Sequence, residues 1–231
     1  MRFRSKRYKK DVEKAPAKPV ALDDGVKKLK TFSKIKFDQT VDLVIHLGID
    51  AKQADQMIRG SISLPKGIGA SKKVIAFCNE ADAAAAKAAG AIEAGAEELV
   101  DKVSKGWMDF DVAIAHPSLM GKVGKLGRVL GPQGKMPSPK SGTVTPDIAT
   151  AVKEYSAGKV EFRNDAGGNI HAVVGKLSFA DEDLKANISA FVEHIRRLKP
   201  ASAKGQYIKK VSISGTMTPA VHLEYAAAVT E

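Results

Sequence analysis

The chain has 231 residues, of which 44% are hydrophobic and only 6% aromatic, and its formal net charge is +11. This length suits one large domain or two modest ones, with a core filled mainly by Ala, Val, Ile and Leu. A positive surplus of this size favours a polyanionic partner, with nucleic acid preferred over an anionic membrane.

The sequence also lacks the features of a membrane-spanning protein and of a disulfide-bonded protein. The sequence has no run of about 18 apolar residues, as a membrane span requires, and its N-terminus lacks the apolar core of a secretory signal. Cys78 is the single cysteine, so it forms neither an internal disulfide nor a cysteine zinc site. We therefore expect a buried, unreactive thiol in a cytoplasmic protein.

Residues 1–19 are a basic N-terminal arm with eight Lys or Arg and two acidic residues. The composition predicts that this arm is extended and lies outside the fold. It is either a solvated tail or an arm that binds phosphate groups, and both interpretations stay open.

Alternating apolar and polar residues characterise both ends of the chain. Within 40–47, alternate residues from Val41 onward are apolar, which predicts a strand with one buried face and one solvent-facing side. The segment 181–199 predicts a helix, because its apolar residues have helical spacing, acids crowd its start and a proline follows it. Further strands are predicted at 159–163, 207–214 and 220–225.

The middle of the chain has a different pattern. The segments 72–78 and 111–115 contain the continuous apolar runs VIAFC and VAIA, and the residues between them are rich in helix formers. Strands of this kind alternating with helices are typical of a parallel sheet that is covered on both faces.

The economical organisation is an α/β protein with an insertion. Residues 67–159 would form the inserted domain, and residues 20–66 plus 160–231 would form one discontinuous domain. The connections at 64–69 and 156–159 contain Gly, Pro or small polar residues, so we expect a hinge there.

The stretch 119–145 contains six glycines, three prolines and five Lys or Arg, but no acidic residue. Its apolar residues share one helical face, but each glycine costs about 1 kcal/mol relative to Ala, so we expect a short or broken helix. A constrained loop should follow and present Lys135 and Lys140. The apolar positions are Leu119, Val123, Leu126 and Leu130.

Enzyme motifs are missing from the sequence. The glycines of 121–134 match neither a phosphate-binding loop nor a dinucleotide fingerprint, and the five histidines lack metal-ligand spacing. We therefore predict no cofactor, no metal, no small-molecule substrate and no catalysis. A nucleotide-using enzyme remains the competing hypothesis, but it rests on fold analogy alone. A membrane-surface protein would need a large amphipathic moment that the sequence lacks.

Four long segments carry a resemblance to a known family. The chain resembles the bacterial large-subunit ribosomal protein L-one family, with a match that runs from about residue 20 to residue 224. The resemblance implies a discontinuous two-layer α/β domain with an open-faced sheet that binds ribosomal RNA. It also implies an inserted Rossmann-like three-layer α/β domain. The matching segments are 36–50, 119–145, 159–176 and 204–220.

The same resemblance implies a function on the ribosome. Such proteins bind the stalk base of large-subunit ribosomal RNA, act there as monomers, and form the mobile stalk beside the exit site. They assist release of deacylated transfer RNA, and the free protein represses translation of its own operon messenger. The implied location is the cytoplasm, on the ribosome.

The resemblance also assigns candidate RNA contacts. Lys36, Phe37 and Thr40 fall in the first contacting segment, and Thr216 with its neighbours falls in the second. The family's usual Thr-Met-Gly-Pro reads Thr-Met-Thr-Pro here, so Thr218 is expected to shift or weaken the contact. The second segment consists of Thr216, Met217 and Thr218.

Further candidates follow from charge and strand alternation. Lys210, Ser212 and Ser214 form a polar stripe that could reach phosphate groups, and Arg163 and His171 lie in a matching segment. Each has a structural alternative: Phe37 as core, His171 as an ordinary exposed strand residue, and the basic loop as solvated surface. The additional contacts proposed on the inserted domain are Lys122, Lys125, Arg128, Lys135 and Lys140.

Overall fold

A computed structural model describes residues 4–224 and confirms the α/β class. The chain divides into two compact units, which we name by their place in the sequence. The end unit contains residues 4–69 and 162–224, and the inserted unit contains 70–161. Among the described residues, no helix is long and apolar enough to cross a membrane.

The elements follow one another in simple order along the chain. The first part of the end unit has helices α1 (Lys6–Lys14) and α2 (Leu22–Lys30) and strands β1 (Thr40–Leu47) and β2 (Arg59–Ile62). The middle of the chain then contains β3 (Val74–Phe77), α3 (Glu80–Ala88), β4 (Glu93–Gly95), α4 (Glu97–Ser104), β5 (Val112–Ala115), α5 (Met120–Val123), α6 (Gly127–Leu130) and α7 (Ile148–Ser156). The final part has β6 (Val160–Arg163), β7 (Asn169–Lys176), α8 (Asp181–Arg197), β8 (Ile208–Gly215) and β9 (Val221–Leu223).

The end unit is built on an antiparallel sheet in the order β7-β1-β8-β9. Alternate residues of β1 are buried, as the sequence predicts, and helices α2 and α8 pack on the neighbouring strands β7, β8 and β9. Helix α8 contributes Leu184, Ile188, Phe191 and Ile195, all buried, so its predicted apolar face is confirmed. The other face of the sheet is left open to solvent or to a partner.

The inserted unit is built on a parallel sheet in the order β4-β3-β5. Strand β3 is buried along its whole length because its two faces belong to two separate cores. Ile75 and Phe77 pack with α4 and the glycine-rich helical segment, whereas Val74 and Ala76 pack with α3 and α7. The sheet is therefore covered on both sides, which explains its continuously apolar sequence.

The glycine-rich segment forms a broken helix, as predicted. Helices α5 and α6 are separated by a 3-10 turn at Gly124–Leu126, and the four predicted apolar positions are all buried. A short 3-10 turn at Pro139–Ser141 then leads toward α7.

The N-terminal arm departs from the prediction. Residues 6–14 form α1 rather than an extended segment, and the Ser5 hydroxyl caps this helix by accepting from the Tyr8 N–H at 3.3 Å. Helix formation was missed because α1 buries almost no apolar side chain, and apolar periodicity is the signal that sequence reasoning uses. Residues 1–3 of the arm and Tyr225 of the last predicted strand lie outside the described residues.

Candidate nucleic-acid interface

The open face of the end-unit sheet is lined mainly by polar side chains. Residues that are paired across antiparallel strands point to the same side, so the strand register defines rows of neighbours. Most members of these rows carry a hydroxyl, amide, imidazole or ammonium group, the groups that contact phosphates and sugars. The rows are His171–Val44–Ser212–His222, Val173–Asp42–Ser214 and Asn169–His46–Lys210.

Two segments that are remote in sequence meet at one end of this sheet. The Thr216 N–H donates to the Thr40 carbonyl oxygen, and the Thr40 N–H donates to the Thr216 hydroxyl, both at 3.1 Å. The Met217 N–H donates to Oε1 of the buried Gln39 at 2.9 Å. These bonds place segments 36–40 and 216–218 side by side, and we name the pair the contact end.

The contact end exposes large apolar side chains. Phe37 is 51% exposed and Met217 is 48% exposed, and Lys36 beside Phe37 is also exposed. The structure thus rules out the alternative that Phe37 is a core residue. An exposed aromatic ring beside a cation offers a base both a stacking surface and a phosphate partner.

Thr218 lacks the exposed side chain that a direct side-chain contact with RNA would require. It is only 8% exposed, and its hydroxyl accepts from the Gly215 N–H at 2.8 Å. No non-glycine residue among those described has a positive φ, so Thr218 occupies its backbone position without left-handed strain. Its side chain closes the turn after β8 instead of projecting toward a ligand, because the hydroxyl satisfies a buried donor.

Sequence reasoning missed Gln39, Lys176 and Asp42, which also belong to this region. Lys176 Nζ donates to the Thr40 hydroxyl at 2.8 Å and brings a positive charge to the contact end. Burial raises the pKa of the Asp42 carboxyl, and the nearby His171 and Lys176 only partly oppose that shift. None of the three carries a local sequence signal, because only strand pairing brings them to the site.

Of the remaining sheet candidates, Lys210 and Ser212 lie on the same open face, whereas Arg163 belongs to β6, which pairs with β2 in a separate two-stranded sheet. Arg163 and Lys210 are exposed, and Ser212 Oγ lies 2.9 Å from His222 Nδ1. Burial and the charge of Lys210 lower the pKa of His222, so a larger fraction of this imidazole is neutral at a given pH than of a free imidazole.

His171 lies at the open face near an unusually acidic carboxyl. Its Nε2 is 3.6 Å from Asp165 Oδ2. Hydrogen bonds from Asn169 and Gly167 lower the pKa of Asp165 to about 2. The carboxylate therefore keeps its charge at any physiological pH and can orient the imidazole.

The basic candidates of the inserted unit have different surroundings. Lys135 is not presented to solvent as predicted, because its Nζ donates to the Met108 carbonyl at 3.2 Å and the Phe110 carbonyl at 2.5 Å. Lys122 pairs with Glu97 at 2.5 Å on the surface. The side chains of Lys125, Arg128 and Lys140 are exposed.

Three glycines accompany these cations on the broken helix. A Cβ added to Gly121, Gly124 or Gly127 would meet no heavy atom within 4 Å, and none of the three has a positive φ. Neither packing nor backbone conformation requires glycine there, although each one weakens the helix. Because these glycines have no side chains, nothing projects from their positions on the helix surface beside Lys125 and Arg128.

The described part of the chain assembles no metal site, and its cysteine lacks the surroundings of a reactive thiol. Residues 4–224 contain no group of three or more His, Cys, Asp or Glu that could hold a metal ion. The Cys78 thiol is buried in the inserted unit, and burial raises its pKa, which disfavours the reactive thiolate.

Comparison with known proteins gives a consistent result. Residues 29–219 match the ribosomal protein L1p/L10e family. The chain is 52% identical over 200 residues to the "Large ribosomal subunit protein uL1" of Nocardioides sp., covering 87% of this chain and 83% of that one. It is 48% identical over 222 residues to the protein of the same name from Clavibacter michiganensis, covering 96% and 97%. The chain therefore belongs to the ribosomal protein L1p/L10e family.

Proposed function

We propose that the chain is a non-enzymatic protein of the large ribosomal subunit that binds ribosomal RNA, and that it acts on cytoplasmic ribosomes. Relatives at about half identity over most of the chain carry the name of a large-subunit protein. The basic net charge of +11 suits a ribonucleoprotein component.

One observation carries the RNA-binding proposal. Segments 36–40 and 216–218, which the family resemblance assigns to RNA, are held side by side by the bonds of Thr40 and Gln39 to Thr216 and Met217. The same end of the sheet exposes Phe37 and supplies an ammonium group from Lys176. This geometry favours one mode of recognition. An unpaired base stacks on Phe37, and Lys36 and Lys176 bind adjacent phosphates.

The open face extends the binding surface beyond the contact end. Ser212, Ser214 and His171 occupy neighbouring rows on the strands next to β1, and Lys210 lies one row further. Hydroxyl and imidazole groups can bind sugar and phosphate oxygens without selecting a base. Shape and backbone contacts over the face would then add to the specific contact made at Phe37.

The direct test is binding of the purified chain to the stalk-base fragment of its organism's large-subunit RNA, beside an unrelated duplex. Phe37→Ala should weaken cognate binding by roughly 5- to 150-fold, because stacking of a base on an aromatic ring contributes about 1–3 kcal/mol. Met57→Ala is the matched control, since Met57 is similarly exposed at 55% and lies outside the predicted site.

The outcomes separate the alternatives clearly. A preference for the cognate fragment that Phe37→Ala reduces and Met57→Ala leaves intact supports the proposal. Equal binding of both RNAs, with the same dependence on salt, would mean that the end unit is only a basic surface.

The proposed finer role places the protein in the mobile stalk, where the inserted unit contacts exit-site transfer RNA and assists its release. The exposed glycines of the broken helix support this role, because a surface without side chains lets a sugar–phosphate backbone come close to the protein. Lys125 and Arg128 beside them supply positive charge. The test is the rate of deacylated transfer RNA release from ribosomes reconstituted with and without the chain.

We also propose that the free protein represses its own operon messenger by using the same contact end. A messenger that imitates the ribosomal site would need Phe37 in the same way as ribosomal RNA does. Adding the purified chain to a cell-free translation of that messenger should lower the yield. Phe37→Ala should relieve this repression and weaken ribosomal RNA binding in parallel.

A further inference from the structure

Helix α1 has an exposed face of lysines and a second face of charged residues that are buried or half-buried. Lys6, Lys9 and Lys10 are spaced at i, i+3 and i+4, so they share one face of the helix, and all three are exposed. A neighbouring face carries Arg7, which is half-buried, and Asp11, which is fully buried. A helix of nine residues with so little apolar surface would not be stable alone, so contacts with the end unit must hold it in place.

These contacts lead to the contact end. Asp11 Oδ1 accepts from the Ser33 N–H at 3.1 Å and from the Ser33 hydroxyl at 2.7 Å, just before the first segment. Arg7 Nη2 donates to the Met217 carbonyl at 3.3 Å, within the second segment. Helix α1 therefore joins the two segments from one side through Arg7 and Asp11, and its exposed lysine face adjoins the face that makes these bonds.

The docking of α1 is not optimised for stability. Arg7 Nη1 and Asp11 Oδ2 are buried without a hydrogen-bond partner among the described residues. An unsatisfied buried polar group destabilises the folded state, and apolar residues would anchor a helix without that cost. Charged residues at these positions fix the direction of the helix relative to the two segments, which is useful when the exposed face has a partner.

We propose that the lysine face of α1 is a third RNA-binding element, on which Lys6, Lys9 and Lys10 bind phosphates of the same RNA that occupies the contact end. This inference rests on the proposed function. Its partner is nucleic acid rather than a membrane, because the exposed face carries ammonium groups without an apolar stripe that could enter lipid.

The salt dependence of binding tests this element directly. Each neutralised phosphate contributes about 0.7–0.9 to the slope of log affinity against log salt, so the triple variant Lys6→Gln, Lys9→Gln, Lys10→Gln should flatten the slope by about 2–3. Affinity for the stalk-base fragment should fall by roughly tenfold or more at moderate salt. The control removes three exposed charges from the inserted unit: Lys87→Gln, Lys105→Gln and Lys153→Gln.

The salt slopes of the two triple variants are then compared to test whether α1 binds phosphates. A flatter slope for the α1 variant alone supports the proposal, whereas equal small losses in both would show that α1 contributes only general charge and would overturn it. Specific binding by the wild type, lost in Phe37→Ala but unchanged in the α1 variant, would overturn the α1 proposal and leave the proposed function standing. Thermal unfolding of each variant checks that the end unit remains folded.

Discussion

The four-stranded sheet of the end unit and the three-stranded sheet of the inserted unit use their faces in opposite ways. In β1 of the end unit every second residue is buried, whereas all four residues of β3 in the inserted unit are buried. A sheet with one uncovered face can lay several strands of side chains against a large partner. The inserted sheet cannot do so, since helices cover both faces, and any partner must bind its helices and loops.

This difference accounts for the kinds of residues that line each candidate surface. On the open sheet, hydroxyl, imidazole and ammonium groups come from alternate strand positions, as in the row His171–Val44–Ser212–His222. On the inserted unit, exposed cations and unobstructed glycines come from a broken helix. The first arrangement is rigid and extended, whereas the second is a local surface of a few residues.

Replacing two consecutive residues by Ala, in β3 and in β1, should give the largest changes in stability and show the difference between the two sheets. Ile75→Ala and Val74→Ala should both destabilise the inserted unit, by about 2–5 and about 2 kcal/mol, because each residue fills a different core. On β1, Leu43→Ala should cost about 2–5 kcal/mol and Val44→Ala less than about 1 kcal/mol, since only Leu43 is fully buried.

Urea unfolding of the full chain, with hydrogen exchange to assign each transition to its unit, measures these four costs. Equal losses for Leu43→Ala and Val44→Ala would mean that the open face of the sheet is covered in solution. A negligible loss for Val74→Ala would contradict a sheet with two filled cores.

Much of the fold follows from local patterns in the sequence. The alternation of β1 and the helical spacing of α8 are set within a few residues of chain, and both were predicted with nearly the observed bounds. The continuous apolar run of β3 likewise indicated a sheet covered on both sides. Each of these signals depends only on which residues are buried, and burial repeats with the period of the element.

The arrangement of the site could be predicted only in part. Phe37 and Met217 were identified by family resemblance, but Gln39, Arg7 and Asp11, which join the segments that contain them, were not. These polar residues lie up to 210 positions from their partners, as in the bond from Arg7 to Met217. No periodicity marks a side chain whose role is a single long-range hydrogen bond.

Thr218 allows a sharper test of what the contact end requires. Thr218→Ala should cost about 1–3 kcal/mol, because it leaves the buried Gly215 N–H without the acceptor that the hydroxyl provides. Thr218→Ser keeps the hydroxyl and should lose under about 1 kcal/mol. Denaturant midpoints measure both changes, and RNA affinity should follow the same order because the turn positions Met217.

Restoring the family's usual residue gives an independent check on this account. Thr218→Gly should destabilise the end unit and should not tighten RNA binding, since the threonine side chain points into the turn. Tighter binding by this variant would show that the side chain does obstruct the RNA.

Replacing a glycine on the broken helix of the inserted unit should raise the stability of that unit and impair its function. Gly124→Ala should stabilise the unit by about 0.5–1 kcal/mol, because the position is helical and a Cβ meets no neighbour. If the surface lets transfer RNA approach closely, the same change should slow release of exit-site transfer RNA from reconstituted ribosomes. Gly131→Ala is unsuitable as a control, because its Cβ would lie 2.5 Å from the Gly127 carbonyl oxygen.

Ala84→Ser, at an exposed position of α3, provides a better control for a small change on a helix of the same unit. It should leave both stability and release rate close to those of the wild type. A stabilised Gly124→Ala variant with normal release would remove the functional argument for the glycines.

The smallest expected effects concern two carboxyl groups of the end unit whose pKa values shift in opposite directions. Burial raises the pKa of Asp42, so its ionised form opposes folding, and stability is lost as pH rises through the folded pKa. Asp42→Asn should therefore stabilise the protein at pH 7, and this gain should shrink as the pH falls toward 3.8. Hydrogen bonds lower the pKa of Asp165 to about 2, so its stabilising effect is fully present above about pH 4.

Urea midpoints between pH 7.5 and pH 4.5 distinguish these two carboxylates. Asp165→Asn should destabilise the end unit by a constant amount over this range, because its contribution disappears only when the pH falls from about 4 toward 2. Asp42→Asn should instead show a gain that shrinks as the pH falls toward 3.8. A gain that does not change with pH would show that the pKa of Asp42 is not raised on folding and that the open face is more strongly hydrated than its burial implies, since desolvation is the main cause of the upward shift.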